Sequence, residues 1–269
     1  MKYTIYWCLY MWHNEIASKR RSPTNYRIVM CDKNKALDAF PRLLSETGFE
    51  PEEYDLVLIK PNLCGMYYPE TSLIEKAIEF FEPRARKIVI GETKSMIHTP
   101  ERQFKRFRIY DMIKRFGEKV MAMDLMEDEI LDLEVPFPHA ISKLPIPKLV
   151  EECDLLVNIP KVGKHSNTLL TCALKNLFGL VAEGNKYGVY HPLGVDNVIA
   201  DLMKVVRCDL NIVDAGEKVI VGVDPLAVDA LACRFVSLNP LKVRYLRLVS
   251  EDRDLKLEDV LDKLQIIEI

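Results

Sequence analysis

Residues 157–180 read VNIPKVGKHSNTLLTCALKNLFGL. Lys161, Lys164 and His165 fall within five residues, with Gly163 between them, and Ser166, Asn167 and Thr168 follow directly. Two amines and an imidazole ahead of a helix start suit a phosphate or a carboxylate. The free N–H groups and positive dipole end of a helix add to the charge of the lysines. The GxxxxGK[ST] spacing of a nucleotide-binding P-loop is absent. The helix is expected from about Asn167. Leu170, Ala173, Leu174, Leu177, Phe178 and Val181 form its buried stripe, and Thr168, Cys172, Lys175 and Gly179 its opposite face. Lys175 then stands roughly 12 Å from the helix start, at roughly 1.5 Å per residue, and reaches the same anion by leaning back. The plainer alternative is a solvated lysine pair, a surface Lys175 and a hydrogen-bonded loop histidine.

Other strand ends carry polar groups as well. Lys60, Asn62 and Cys64 follow DLVLI, Glu92 and Thr93 follow KIVIG, and Asp214 ends LNIVD. In doubly wound sheets ligands sit beyond the carboxyl ends of the strands, so these groups are expected to converge on one crevice.

Short apolar runs alternate with amphipathic stretches along the chain. Strands are expected at Tyr3–Leu9, Arg27–Cys31, Asp55–Lys60, Lys87–Gly91, Lys119–Asp124, Glu129–Val135, Asp154–Ile159, Asp209–Asp214 and Lys218–Val221, with a last short strand at the end. Helices are expected at Lys33–Thr47, ending at Gly48, then Thr71–Phe81, Glu101–Phe116 behind Thr99-Pro100, Val195–Val206, Pro225–Phe235, Leu241–Ser250 and Leu257–Leu264. The alternation gives an α/β class, a mostly parallel sheet with helices on both faces. One domain over 1–269 is expected. The proline-rich stretch 136–147 is either a loop or a crossing between two lobes around one crevice.

The 269 residues are 49% hydrophobic and 29% charged, with a formal net charge of −3. The acidic balance disfavours nucleic acid, and the basic residues of 101–116 read as a solvated face. Seven cysteines, at 8, 31, 64, 153, 172, 208 and 233, form no CxxC pair. Scattered cysteines suit a reducing compartment and disfavour a locally encoded zinc or iron–sulfur site. Cys64 reads as a small residue packed at a turn. Tyr3–Trp12 is too short to span a bilayer, and a cytoplasmic protein is expected.

KPNL at 60–63, GET at 91–93, the segment 157–180, His191, DNVIADL at 196–202, NIVDA at 211–215 and GVDPLAVDALA at 222–232 resemble, in order, the domain-of-unknown-function 362 family. The resemblance implies site positions at Lys60, Asn62, Glu92, Lys161, His165, Lys175, Asn176, His191, Asp214, Asp224 and Asp229. Two departures stand out. The ferredoxin-like, cysteine-rich segment of some members is absent, and the family's glycine-rich stretch after NIVDA is reduced to residues 216–221. Asp224, followed by Pro225, reads first as a helix N-cap. Asp229, inside an Ala/Leu/Val helix, reads equally as a buried structural carboxylate.

The leading expectation is an enzyme for an anionic small molecule. Lys60, Lys161 and Lys175 hold the anion, with Asn62, Lys164, Thr168 and Asn176 as further contacts. His165 moves protons with Lys161, Glu92 or Asp214, its pKa lowered by the neighbouring lysines. Isomerisation or racemisation beside a carboxylate fits that inventory. A metal or redox-cofactor site on His165 and His191, with Glu92 and Asp214, is the first alternative. A nucleotide or nucleic-acid binding module is the second. The sequence names no cofactor.

Overall fold

The computed structural model describes residues 25–269. The strand expected at Tyr3–Leu9 lies outside the described residues. Eight strands form one sheet. In chain order they are β1 (Arg27–Asp32), β2 (Tyr54–Pro61), β3 (Ala85–Glu92), β4 (Val120–Asp124), β7 (Leu155–Ile159), β10 (Leu210–Asp214), β11 (Lys218–Gly222) and β12 (Gln265–Glu268). Their spatial order is β12-β1-β11-β10-β7-β2-β3-β4. Only β11 runs against the others, pairing antiparallel with both β1 and β10. Two small hairpins stand apart, β5 (Ile130–Glu134) with β6 (Lys143–Pro147), and β8 (Gly163–His165) with β9 (Leu169–Thr171).

The central strands are apolar on both sides because both faces are covered. Along β3, Ile88 and Ile90 pack with the helices Phe40–Glu46, Thr71–Phe81 and Pro100–Arg106, while Val89 faces the other way. That second face is covered by Ala173–Leu177, Val195–Leu202, Pro225–Ala232 and Arg244–Glu251. This is the expected α/β class.

Several boundaries differ from expectation. The helix expected over Lys33–Thr47 is two pieces, Lys33–Ala36 and Phe40–Glu46, because Pro41 has no N–H for a continuous ladder. The helix expected over Glu101–Phe116 breaks at Arg108, which takes the left-handed conformation (φ 55°). Residues 143–147 are a strand rather than loop. The reduced stretch after Asp214 is a tight turn into β11, closed by Ala215 N–H donating to Lys218 O (2.9 Å), with Gly216 at φ 84°.

The largest departure concerns the helix expected from Asn167. Residues 163–171 form the β8–β9 hairpin, and the helix runs only over Ala173–Leu177. Leu170, Ala173, Leu174, Leu177 and Val181 are buried as the stripe requires, but Cys172, placed on the polar side by the longer helix, is fully buried too. The first helical N–H groups are not open to an anion. Ala173 N–H donates to Asp229 Oδ1 (2.6 Å) and Leu174 N–H to Asp229 Oδ2 (3.1 Å). Tyr245 Oη–H also donates to Oδ2 (3.3 Å). Asp229 is therefore a structural carboxylate. Asp224 caps Pro225–Ala232 by accepting from Leu226 N–H (2.9 Å), and Arg253 neutralises it.

Burial pushes the Asp229 carboxyl up to about 6. The fold thus binds a proton there more tightly than the unfolded chain does. The associated stability is fully present below about pH 4 and is lost as pH rises through about 6, on the order of 3 kcal/mol. Denaturant titrations of wild type and Asp229→Asn are expected to show a stability difference that changes by this amount between pH 4 and pH 7. Parallel pH profiles would remove the assignment. Asp229→Ala, which strands buried N–H groups that asparagine can still serve, is expected to be about 1–3 kcal/mol less stable than Asp229→Asn at either pH.

Candidate functional site

A row of polar side chains crosses the sheet, with Lys60 and Asn158 near the carboxyl ends of β2 and β7 and Asn211 second in β10. Lys60 of β2 is in register with Asn158 of β7, Asn158 with Asn211 of β10, and Asn211 with Gly222 of β11. Asn211 Nδ2 donates to Gly222 O (3.2 Å), and Asn158 Nδ2 to Asn211 Oδ1 (2.8 Å) and Ala173 O (3.1 Å). Asn176 enters from the helix above, donating to Asn158 Oδ1 (2.7 Å) and Lys60 O (3.1 Å). Lys60 Nζ donates to Glu92 Oε2 (2.8 Å), Pro61 O (2.7 Å) and Asn176 Oδ1 (3.4 Å). Glu92 Oε1 accepts from Leu63 N–H at 2.5 Å. Lys60 and Glu92 are 1% and 2% exposed and neutralise each other. Asn62 is buried alongside, its N–H donating to Ile159 O (3.2 Å).

Lys161 and Asp214 meet each other. Asp214 is fully buried, 2.9 Å from Lys33 Nζ and 3.5 Å from Lys161 Nζ. It also accepts from Glu70 N–H (3.1 Å) and Gly216 N–H (3.0 Å). This carboxylate ties the ends of β1, β7 and β10 to the loop after β2. That loop also reaches the hairpin, where Tyr67 Oη–H donates to Lys164 O (2.9 Å). A Cβ on Gly163 would lie 2.4 Å from the Tyr67 ring, so only glycine admits this approach.

The hairpin carries His165 at the end of β8. His165 Nδ1 accepts from Asn167 N–H (3.2 Å) and Thr168 N–H (3.4 Å), which closes the turn and leaves Nε2–H as a donor toward a ligand. Thr168 is buried, its hydroxyl donating to Leu170 O (3.2 Å), and Lys164 is exposed. Leu169 sits at φ 63°, a strained conformation for a bulky residue. The His165 pKa is lowered to about 4, first by burial, then by Lys175 and His191. The direction agrees with expectation; the cause is burial and Lys175, not the adjacent lysines of the loop. Lys175 is half-buried, and among the described residues it has no hydrogen bond or ion pair. Burial lowers its pKa to about 8, with Asp196 acting the other way. His191 is lowered by burial and by Lys175, and its Nδ1 lies 3.0 Å from Asn167 Nδ2.

Lys186, Asn158 and Asn211 were not singled out from the sequence. Lys186 Nζ donates to Thr93 Oγ1 (2.6 Å), Lys94 O (3.3 Å) and Gly179 O (3.3 Å). Burial and then Lys60 lower its pKa to about 8. The short helix Lys186–Tyr190 thus spans two parts of the site, with Lys186 at the end of β3 and His191 beside the hairpin. Tyr190, buried against Phe178 (ring centroids 5.6 Å apart), holds it there. Lys186 carries no motif, but an isolated asparagine in each of two apolar strands was a readable signal.

The expected residues therefore fall into three groups. Lys60, Asn62, Glu92 and Asn176 form the buried row, and Lys161 and Asp214 an ion-pair knot. His165, Lys175 and His191 surround the hairpin, with Thr168 turned inward and Lys164 outward. Among the described residues no three His, Cys, Asp or Glu side chains form a metal-binding group. Cys64 is buried beside Glu92, which together push its thiol pKa up. Glu92→Gln leaves the Lys60 charge without its partner and is expected to cost about 3–5 kcal/mol in urea denaturation. Lys60→Met with Glu92→Gln is expected to recover most of that loss; a double variant as unstable as the single one would show that the pair is not what the row depends on.

No curated protein matches this chain. The course of the chain is similar to that of lactate racemase apoprotein from Thermoanaerobacterium thermosaccharolyticum, with TM-score 0.48 and 20% identity over 78% of this chain and 57% of that one. It is also similar to a structural-genomics protein from Thermotoga maritima, with TM-score 0.42 and 12% identity over 76% of this chain and 58% of that one. The chain thus spans somewhat over half the length of each. Among the described residues no helix is long and apolar enough to cross a membrane. Residues 57–234, more than half of the chain, match the domain of unknown function DUF362, and the protein belongs to that family.

Proposed function

We propose that this protein is an enzyme that binds a small anionic molecule beside the β8–β9 hairpin and moves a proton on it with His165 and Lys175. The observation that carries this reading is the half-buried, unpartnered Lys175 next to His165, with pKa values of about 8 and about 4. At neutral pH such a pair presents a cation beside an uncharged imidazole. The cation attracts a carboxylate or phosphate, and because Nδ1 accepts from the turn the uncharged ring carries its hydrogen on Nε2, which donates to the ligand. As a carbon-bound proton leaves to the neutral fraction of Lys175, His165 Nε2–H stabilises the enolate-type charge that develops. Isomerisation or racemisation beside a carboxylate is the reaction class.

In this reading Lys60, Asn62, Glu92 and Asn176 are the floor that fixes the helix bearing Lys175. Lys161 with Asp214 holds the base of the hairpin, Thr168 sets its turn, and Lys164 adds positive potential at the rim. His191 and Lys186 close the site from the other side.

The test is hydrogen–deuterium exchange in D2O with a panel of 2-hydroxy, 2-amino and 2-oxo carboxylates, read by proton NMR. Wild type is expected to exchange a carbon-bound hydrogen in at least one of them. His165→Gln is expected to lower that rate by about 100-fold or more with binding retained, and Lys175→Met to weaken binding. Exchange that survives in His165→Gln, or none across the panel, defeats the reading.

A further inference from the structure

We infer that Lys175 is a carbonyl-capturing amine, and that the ligand of this site is an anionic aldehyde or ketone, with 2-oxo acids the simplest members, held as an imine on Nζ. This rests on the function proposed above and narrows its substrate class.

The geometry singles out one amine. Among the described residues, every other lysine that is at least partly withdrawn from solvent is engaged. Lys60 is paired with Glu92, Lys33 and Lys161 with Asp214, and Lys204 with Asp201 and Asp252. Lys186 is bonded to a hydroxyl and two carbonyls. Lys76, Lys119, Lys148 and Lys218 each have a carboxylate partner. Among the described residues, Lys175 alone is half-buried with neither a hydrogen bond nor an ion pair. A lysine withdrawn from water without a partner is relieved by losing its proton, and the neutral amine is the nucleophile for carbonyl carbon. The groups acting on it are His165, His191 and Asp196, and Asp196 is itself pushed toward its neutral form by burial.

The chemistry balances without a further reactant. The ammonium of Lys175 gives one proton to water, as its pKa of about 8 allows. The freed lone pair forms the C–N bond while the C=O π pair moves to oxygen. A second proton passes from nitrogen to that oxygen, the solvent returns the first, and water departs. The product is a protonated imine carrying the charge the ammonium carried. That cation acidifies the adjacent C–H, the bond that breaks in the reaction proposed above.

The test is reductive trapping with pyruvate or glyoxylate and cyanoborohydride, followed by peptide mapping, on wild type, Lys175→Arg and Lys175→Met. Thermal shifts with phosphate and with lactate are measured on the same samples. An amine with a pKa of about 8 has on the order of 100 times more neutral form at pH 7 than an ordinary lysine. Labelling of Lys175 is therefore expected to exceed that of exposed Lys164 at least about 10-fold and to vanish in both variants. Labelling spread evenly over exposed lysines overturns the inference. Anions that stabilise the protein with no adduct at Lys175 overturn the imine and leave anion binding standing. With neither a shift nor an adduct, both proposals fall.

Discussion

The Asn176 side chain lies between two strands and supports everything above it. Its amide gives one hydrogen to Asn158 and the other to the carbonyl of Lys60, while its oxygen faces the Lys60 ammonium. A helix of one and a half turns has little stability of its own. Here it is fixed from below by that amide and at its start by the Asp229 carboxylate. The orientation of Lys175, one residue before Asn176, follows from those two attachments. Each buried polar group in the row has a partner, so the charge of Lys60 is tolerated within an apolar sheet.

This arrangement divides the cations into two kinds. Lys60 and Lys161 sit against carboxylates and hold strands together. Lys175 and Lys186 have no carboxylate in contact, and burial shifts both downward, with Lys60 adding to the shift of Lys186. The difference arises from the strand ends themselves. Residues that finish a central strand have neighbours on both sides, whereas residues in the connecting segments are covered from one side only.

Much of the fold was readable because buried strands and helix starts have strong local signals. DLVLI, KIVI and DLLV admit little but interior strands, and Asp224 before Pro225 is an N-cap by its own chemistry. The segment after His165 misled for a definite reason. Leu170, Ala173, Leu174 and Leu177 keep helical spacing, yet Leu170 belongs to β9 and reaches the core from a strand. What closes the preceding turn is His165 Nδ1, a tertiary-scale choice that periodicity does not encode. The strand-end residues were legible as a set, but their grouping was not. Lys161 and Asp214 were expected to serve separate roles, and their pairing depends on strand order, with β7 beside β10 across a long stretch of chain. Lys186 reaches Thr93 through a connecting segment with no periodic pattern at all.

The separations along the chain have a kinetic consequence. Lys60 and Asn176 are 116 residues apart, Asp214 and Glu70 are 144 apart, and Lys186 and Thr93 are 93 apart. Loops of that size must close before any of these contacts can reward the closure, and such topologies fold slowly. The β2–β3 unit has local partners and can form early. The hairpin, the short helix and the crest they share acquire their partners only when β7 and β10 have docked and Asp229 has arrived from near the far end. The candidate site is thus held together by contacts that close long loops, whereas β2 and β3 are held by near neighbours in the chain.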